Sequence, residues 1–362
     1  MIGKKKWYLL IFSGIFFILF YNLTGSKNTT LTNMKSTWEQ YETPEEAGWS
    51  SRRLKAAKKY YDSLGSTAAM VIYNGKVLVS WGDITKKSNI HSIRKSFLSA
   101  LYGIHVEKGN ININSTLKDL NIMDNVLLSE QEKKAKIVDL LTSRSGVFLT
   151  AGEESLWMRW SRPERGLYLP GTHFYYNNWD FNVLGTIFKE QTNSDLFTEF
   201  RDKIAVPIGM EDYTMEDTVY KMEVSRSIHP SYLFRMSVRD MARFGQLYLQ
   251  NGSWDGKQII PKEWIKKSTS VQTPVIHSDD YGYGYMWWVA DKGEFSELGL
   301  YSAIGRYGQS IDIIPEKNIV FVHRVDSDNF WNRRLKQVSN KKRLKLLELI
   351  LDAQESENNN HL

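Results

Sequence analysis

Apolar residues run almost unbroken from residue 69 to 73, stop at Asn74-Gly75, and resume from 76 to 81. Two β-rich runs joined by Asn-Gly predict a hairpin, because the tight turn that matches strand twist needs positive φ at its central residues. The period then changes. Ile93, Phe97, Leu98, Leu101 and Ile104 recur three and four apart, the signature of a helix, and Gly109 is placed to close it. Leu54, Ala57 and Tyr61 give one face of an earlier helix, expected over 45–64. From about 110 to 265 the pattern reads mostly as helix and loop. Strand-like runs return at 281–289, 295–303, 309–314 and 319–324, and a closing helix is expected over 332–354. Strands from both ends must then share one sheet. The expected fold is α/β: an antiparallel sheet flanked by helices, with a mainly helical region inserted and a site at the junction.

Composition narrows the class. The chain has 362 residues, 42% hydrophobic and 24% charged, which suits a globular enzyme with a sizeable core. It has no cysteine, so disulfides, thiolate metal sites and lipidated cysteine are excluded. Its seven histidines are scattered, without the spacing of a metal site, and His91 and His173 read as packed or surface residues. No cofactor, metal or nucleic-acid motif is present. The net charge of +6 is consistent with attraction to an anionic wall or membrane surface. Arg333, Arg334, Lys336, Lys341, Lys342, Arg343 and Lys345 carry much of it and read as a solvated helix face. The aromatic-rich stretches at 157–160 and 281–288 read mainly as core, with the remainder lining an acyl or sugar-bearing pocket.

The N-terminus differs. Lys4-Lys5-Lys6 precede an uncharged apolar run at residues 7–21. At about 1.5 Å per residue this falls short of a ~30 Å bilayer core. A short membrane anchor or a signal-peptide core both fit, and either implies export. The expected organisation is therefore 1–27 anchor or signal, 28–40 linker, 41–354 catalytic domain and 355–362 polar tail.

Candidate chemistry sits at Ser92-Ile93-Arg94-Lys95. A serine hydroxyl needs a base within hydrogen-bond reach, and residues three apart on a helix share a face. The first turn also lies at the positive end of the helix dipole. Ser115-x-x-Lys118 and Ser339-x-x-Lys342 share the spacing, but Ser115 reads as a helix cap and Ser339 as part of a polar helix lacking apolar support. Tyr176 and Asn178, two apart on an expected extended loop, can enter one cleft. Beside an ammonium a tyrosine anion is favoured and can accept a proton.

Taken jointly, Ser92-x-x-Lys95-Ser96-Phe97, Leu140-Leu141-Thr142-Ser143-Arg144-Ser145-Gly146, Phe174-x-Tyr176-x-Asn178 and Gly308-Gln309-Ser310-Ile311-Asp312 occur in a known order. So does the segment 236–246, with Ser237 and Asp240 expected as a capping box. From about 40 to 330 the chain resembles the penicillin-binding-protein-like serine hydrolases. That family includes class C β-lactamases, D-Ala-D-Ala carboxypeptidases, esterases and nylon-oligomer hydrolases. The resemblance implies a β-lactamase/transpeptidase-like fold. It implies an acyl-enzyme on Ser92, with Lys95 and Tyr176 sharing the base role and Asn178 contacting the substrate amide. The implied oxyanion hole is the Ser92 N–H and an N–H after Gly305, at Arg306. One departure stands out. The family's third motif carries a cation, Lys-Thr-Gly or His-x-Gly, where this chain has Ala303-Ile304-Gly305. The charge-assisted partner for a carboxylate is missing there; Arg306 could substitute, against its reading as a solvated surface charge.

The expected function is an exported serine hydrolase that cleaves a small-molecule or peptide-like amide or ester, attached to the membrane through its N-terminal segment or secreted. The alternatives are a D-Ala-D-Ala carboxypeptidase or β-lactamase, and a non-catalytic wall-binding protein of the same fold.

Overall fold

The computed structural model describes residues 38–275, 278 and 280–355, all within one compact unit. The apolar run at 7–21, most of the 28–40 linker and the tail beyond Glu355 lie outside the described residues. Among the described residues no helix is long and apolar enough to cross a membrane.

The Asn74-Gly75 turn joins β1 (Ala68–Tyr73) to β2 (Lys76–Gly82), with φ of 48° and 79° at the two turn residues. Six later strands complete the sheet: β3 (Thr273–Pro274), β4 (Tyr281–Tyr283), β5 (Trp288–Ala290), β6 (Tyr301–Gly305), β7 (Gln309–Ile314) and β8 (Ile319–Arg324). Its order is β2-β1-β8-β7-β6-β5-β4-β3 and all neighbours are antiparallel. First and last strands pair with each other, one strand in from the β2 edge, so the middle of the chain is an insertion, as the run order predicts. That middle also holds a small sheet of Ser88–Asn89, Ser231–Met236 and Thr218–Lys221, which the helix-and-loop reading missed.

Side chains alternate between two cores. Met70, Ile72, Ala303, Ile311, Val320 and Val322 face one side, while Val71, Ile314, Ile319 and Phe321 face the other. Burial on both faces explains why these strands read as continuous apolar runs. α1 (Ser51–Ser63) and α6 (Asn340–Leu351) cover the second face. On the first face lie α2 (Arg94–Glu107) and α5 (Val238–Leu249). α2 is buried all round, from Arg94 to His105. It ends as predicted, with Gly109 at φ 74°.

Several expectations change. The 45–64 helix is two pieces: Gly48, at φ 73°, ends a short 3₁₀ turn at Pro44–Ala47, and Ser50 caps α1. The 295–303 run is a helical turn at Glu294–Glu297 closed by Gly299 at φ 68°, so β6 begins at Tyr301. The closing helix is also split, into Phe330–Leu335 and α6. Ser339 caps α6, whose Leu344, Leu346, Leu347 and Ile350 are buried, so apolar support is present. Ser115 lies in a turn and caps nothing helical: its carbonyl accepts from Ile137 N–H. At α5, Ser237 does accept from Asp240 N–H, but the Asp240 carboxylate takes the N–H groups of Glu211, Asp212 and Tyr213. It ties down a loop and forms no capping box.

Candidate active site

Ser92 sits in a 3₁₀ turn, His91–Ile93, that runs straight into α2. His91 before it has φ 50°, a left-handed conformation that costs a non-glycine residue about 1–2 kcal/mol. The turn is held from several sides. His91 N–H donates to Asn89 Oδ1 at 2.8 Å, its ring Nε2 meets Ser327 Oγ at 2.7 Å, and Gln309 Nε2 donates to Asn89 O at 2.9 Å. Contrary to the packed-or-surface reading, His91 lines the Ser92 cavity.

Helix spacing brings Lys95 under Ser92, with Nζ 2.9 Å from Ser92 Oγ. The same Nζ is 2.8 Å from Tyr176 OH and 3.0 Å from Asn178 Oδ1. All three meet at one buried amine. Ser143 and Ser145, from the 140–146 segment, position the segment that carries the tyrosine. Tyr175 N–H donates to Ser143 O at 2.9 Å, and Ser145 Oγ donates to Asp180 at 2.6 Å in the first turn of α4 (Asn178–Thr192).

Asn178 is not on a loop. Asn177 caps α4 and Asn178 is its first residue. Its Nδ2 donates to Glu153 O at 2.7 Å and Gly152 O at 3.3 Å, which aims Oδ1 at Lys95. Asn178 thus contacts the lysine and also lines the Ser92 cavity, where the resemblance implied a substrate contact.

Electrostatics reverse one expectation. Burial pushes the Lys95 amine well below its ordinary value, and the Arg94 guanidinium beside it acts in the same direction against Glu153. Burial also pushes Tyr176 up to about 12, over the opposing hydrogen bond to Ser92 and the charge of Arg94. Desolvation disfavours both charged forms. The tyrosine anion is therefore not the favoured species. Burial thus works against the ammonium of Lys95 and the phenolate of Tyr176 alike.

β6 passes the Ser92 turn so closely that a Cβ on Gly305 would stand 2.5 Å from Ile90 O. This close approach needs glycine. Gly305 and Arg306 line the cavity with Ser92, and the exposed Arg306 side chain leans on Tyr307, 5.5 Å from its ring centre. Ala303 faces the core instead, 1% exposed and away from the cavity.

Arg94 was not singled out from the sequence. It is buried, lines the cavity, and its guanidinium lies 4.2 Å from the Tyr232 ring centre. An arginine between a candidate serine and lysine was visible, but its burial depends on tertiary packing.

The Beta-lactamase family profile matches residues 55–333. The chain belongs to the Beta-lactamase family. Relatives are distant. A class C β-lactamase structure superposes with a TM-score of 0.61 at 14% identity, covering 85% of this chain and 98% of that one. A penicillin-binding protein homologue from Pyrococcus abyssi, octameric in its structure, gives 0.62 at 19%, covering 84% and 77%. A candidate 6-aminohexanoate-dimer hydrolase from Bacillus anthracis gives 0.62 at 22%, covering 82% and 80%. An uncharacterized protein from Alkalihalophilus pseudofirmus is 23% identical over 310 residues, 76% of this chain and 87% of that one. These likenesses fix the fold of this Beta-lactamase family member.

Proposed function

We propose that this protein is a serine hydrolase that cleaves a neutral amide or ester through an acyl-enzyme on Ser92. The observation that carries the reading is the 2.9 Å contact between Ser92 Oγ and the Nζ of Lys95, an amine whose burial disfavours its charged form. Ser92 Oγ attacks the carbonyl carbon while its proton passes to Lys95 Nζ. The ammonium so formed is held by Asn178 Oδ1 and Tyr176 OH, and the carbonyl oxygen by the backbone N–H groups of Ser92 and Arg306. Collapse expels the alcohol or amine, which takes the proton back from Lys95 through Tyr176. Water then repeats the sequence on the acyl-enzyme and releases the acid.

The pH dependence follows from the sign of the lysine shift. Lys95 must be unprotonated to act, so kcat/KM for p-nitrophenyl acetate rises with pH and levels off well below the ~10.4 of an ordinary lysine. Tyr176, pushed up to about 12, keeps its proton through that range and adds no limb of its own. A rise centred near 10 would contradict a neutral Lys95.

A β-lactamase or carboxypeptidase reading is favoured by one feature, the cavity-lining Arg306. Because that guanidinium is exposed, Arg306→Ala should change penicillin acylation and neutral-ester hydrolysis by a similar factor, below about fivefold. Selective collapse of penicillin acylation would make Arg306 the carboxylate partner and move that reading to first place.

The lysine-flanked run at 7–21 supports export and membrane attachment of the same enzyme. Full-length chain should then sediment with membranes, while the chain from residue 28 onward stays in the supernatant. A mature N-terminus found near Lys27 would establish cleavage and secretion instead.

A further inference from the structure

Beside the candidate site lies a second cavity, of about 440 Å³. Its walls include Trp157, Phe174, Tyr176, Val275, Trp288 and Ile304, with His173, Ser161, Ser278 and Asn340 as polar members; among the described residues no lysine, arginine, aspartate or glutamate lines it. Trp157, Tyr176, Trp288 and Ile304 also line the Ser92 cavity. The two spaces thus share a wall, and the two differ in chemistry. The Ser92 side is lined by Arg94, Lys95, Glu153 and Arg306, whereas the annex is aromatic. Its wall is rigidly built: the Trp288 ring lies 5.3 Å from Tyr176 and 5.0 Å from Tyr283, and Phe174 lies 5.3 Å from Tyr283.

From this geometry we infer that the annex is a specificity pocket for one uncharged alkyl or aryl arm of the substrate. The inference rests on the proposed hydrolase reading and names its substrate class. An arm leaving the carbonyl at Ser92 reaches the annex past Ile304 and Trp288. Trp157, at the lip on α3 (Leu156–Trp160), is 60% exposed and offers apolar area for a bound chain to cover. A charged arm would lose its hydration there and, among the described lining residues, meet no lysine, arginine or carboxylate to offset that loss. Buried Ala303 agrees with this, since the third-motif position supplies no cation to draw an anionic arm elsewhere.

The arm can belong to the acyl or the leaving group, and two substrate series separate them. One is p-nitrophenyl esters from acetate to octanoate, the other alkyl acetates of matching length. In the series whose arm enters the annex, kcat/KM should rise roughly threefold to fourfold per methylene up to about six to eight carbons. The other series should stay flat. A terminal carboxylate or ammonium on the longer arm should cancel the gain. Val275→Trp, which fills the annex, should lower the long-to-short ratio at least about tenfold, and general damage cancels in a ratio. Ser92→Ala protein gives a readout without turnover: neutral alkyl amides should quench tryptophan fluorescence with affinity that grows with chain length. Loss of all Ser92-dependent turnover would overturn the hydrolase reading alone. Length-independent amide binding, two flat series, or equal gains for charged arms would overturn the annex.

Discussion

Ser92→Ala should lower kcat for p-nitrophenyl acetate by at least about a thousandfold while leaving the fold intact. Ser92 is half-buried on the cavity wall, and its hydroxyl meets the Lys95 amine that also contacts Tyr176 OH. Removing Oγ takes away the attacking atom and leaves the amine with Tyr176 and Asn178. The remaining donors can polarise a carbonyl but cannot form a covalent intermediate, so what survives is the small contribution of binding and the oxyanion site. The check is a steady-state rate on protein whose circular dichroism matches the parent. Turnover within tenfold of the parent would remove Ser92 from the role.

The second large effect concerns stability. Asp312→Ala should destabilise the protein by about 3–5 kcal/mol in urea unfolding, because it leaves a buried charge unpaired. Arg343, on α6, is fully buried and its guanidinium meets the Asp312 carboxylate on β7. Ser302 Oγ and Ser310 Oγ each donate to that carboxylate at 2.6 Å, and Arg343 Nη2 donates to Tyr281 OH at 3.3 Å. Burial opposes the arginine's charge, yet Asp312 holds its pKa above the ordinary value. The pair staples α6 to the β6–β7 hairpin that carries Gly305 and Arg306. In Asp312→Val combined with Arg343→Met much of the loss should return, since no charge then remains buried. If Asp312→Ala alone unfolds like the parent, the ion pair contributes nothing that matters.

That pair marks where sequence reading ends. Arg343 stands in a lysine- and arginine-rich stretch and reads as solvated surface; only strand register and helix docking reveal that it faces Asp312 thirty-one positions earlier. The Ser92–Lys95 relation was legible because helix geometry alone puts i and i+3 on one face. The hairpin at Asn74-Gly75 was legible for a similar reason, since the turn's positive φ values demand those residues. Tyr176 became a candidate through the order of motifs, and its meeting with Lys95 requires the packing of two distant segments. The tyrosine anion expected there is opposed by burial, which pushes Tyr176 up to about 12 and works against the charge of the neighbouring Lys95 amine that would favour it. Asn178 was misplaced by a missed signal: Asn177 has the side chain of a helix cap. The strand expected over 295–303 failed in the same way, at Gly299, which could have been read as a helix stop.

The most direct test of the account is the position of a covalent adduct. Protein treated with a fluorophosphonate at neutral pH, digested and analysed by mass spectrometry should carry one adduct on the peptide containing Ser92. Lys95→Met should slow its formation at least about a hundredfold, through loss of the base. An adduct on another serine, or active protein that stays unmodified, would contradict an acyl-enzyme on Ser92.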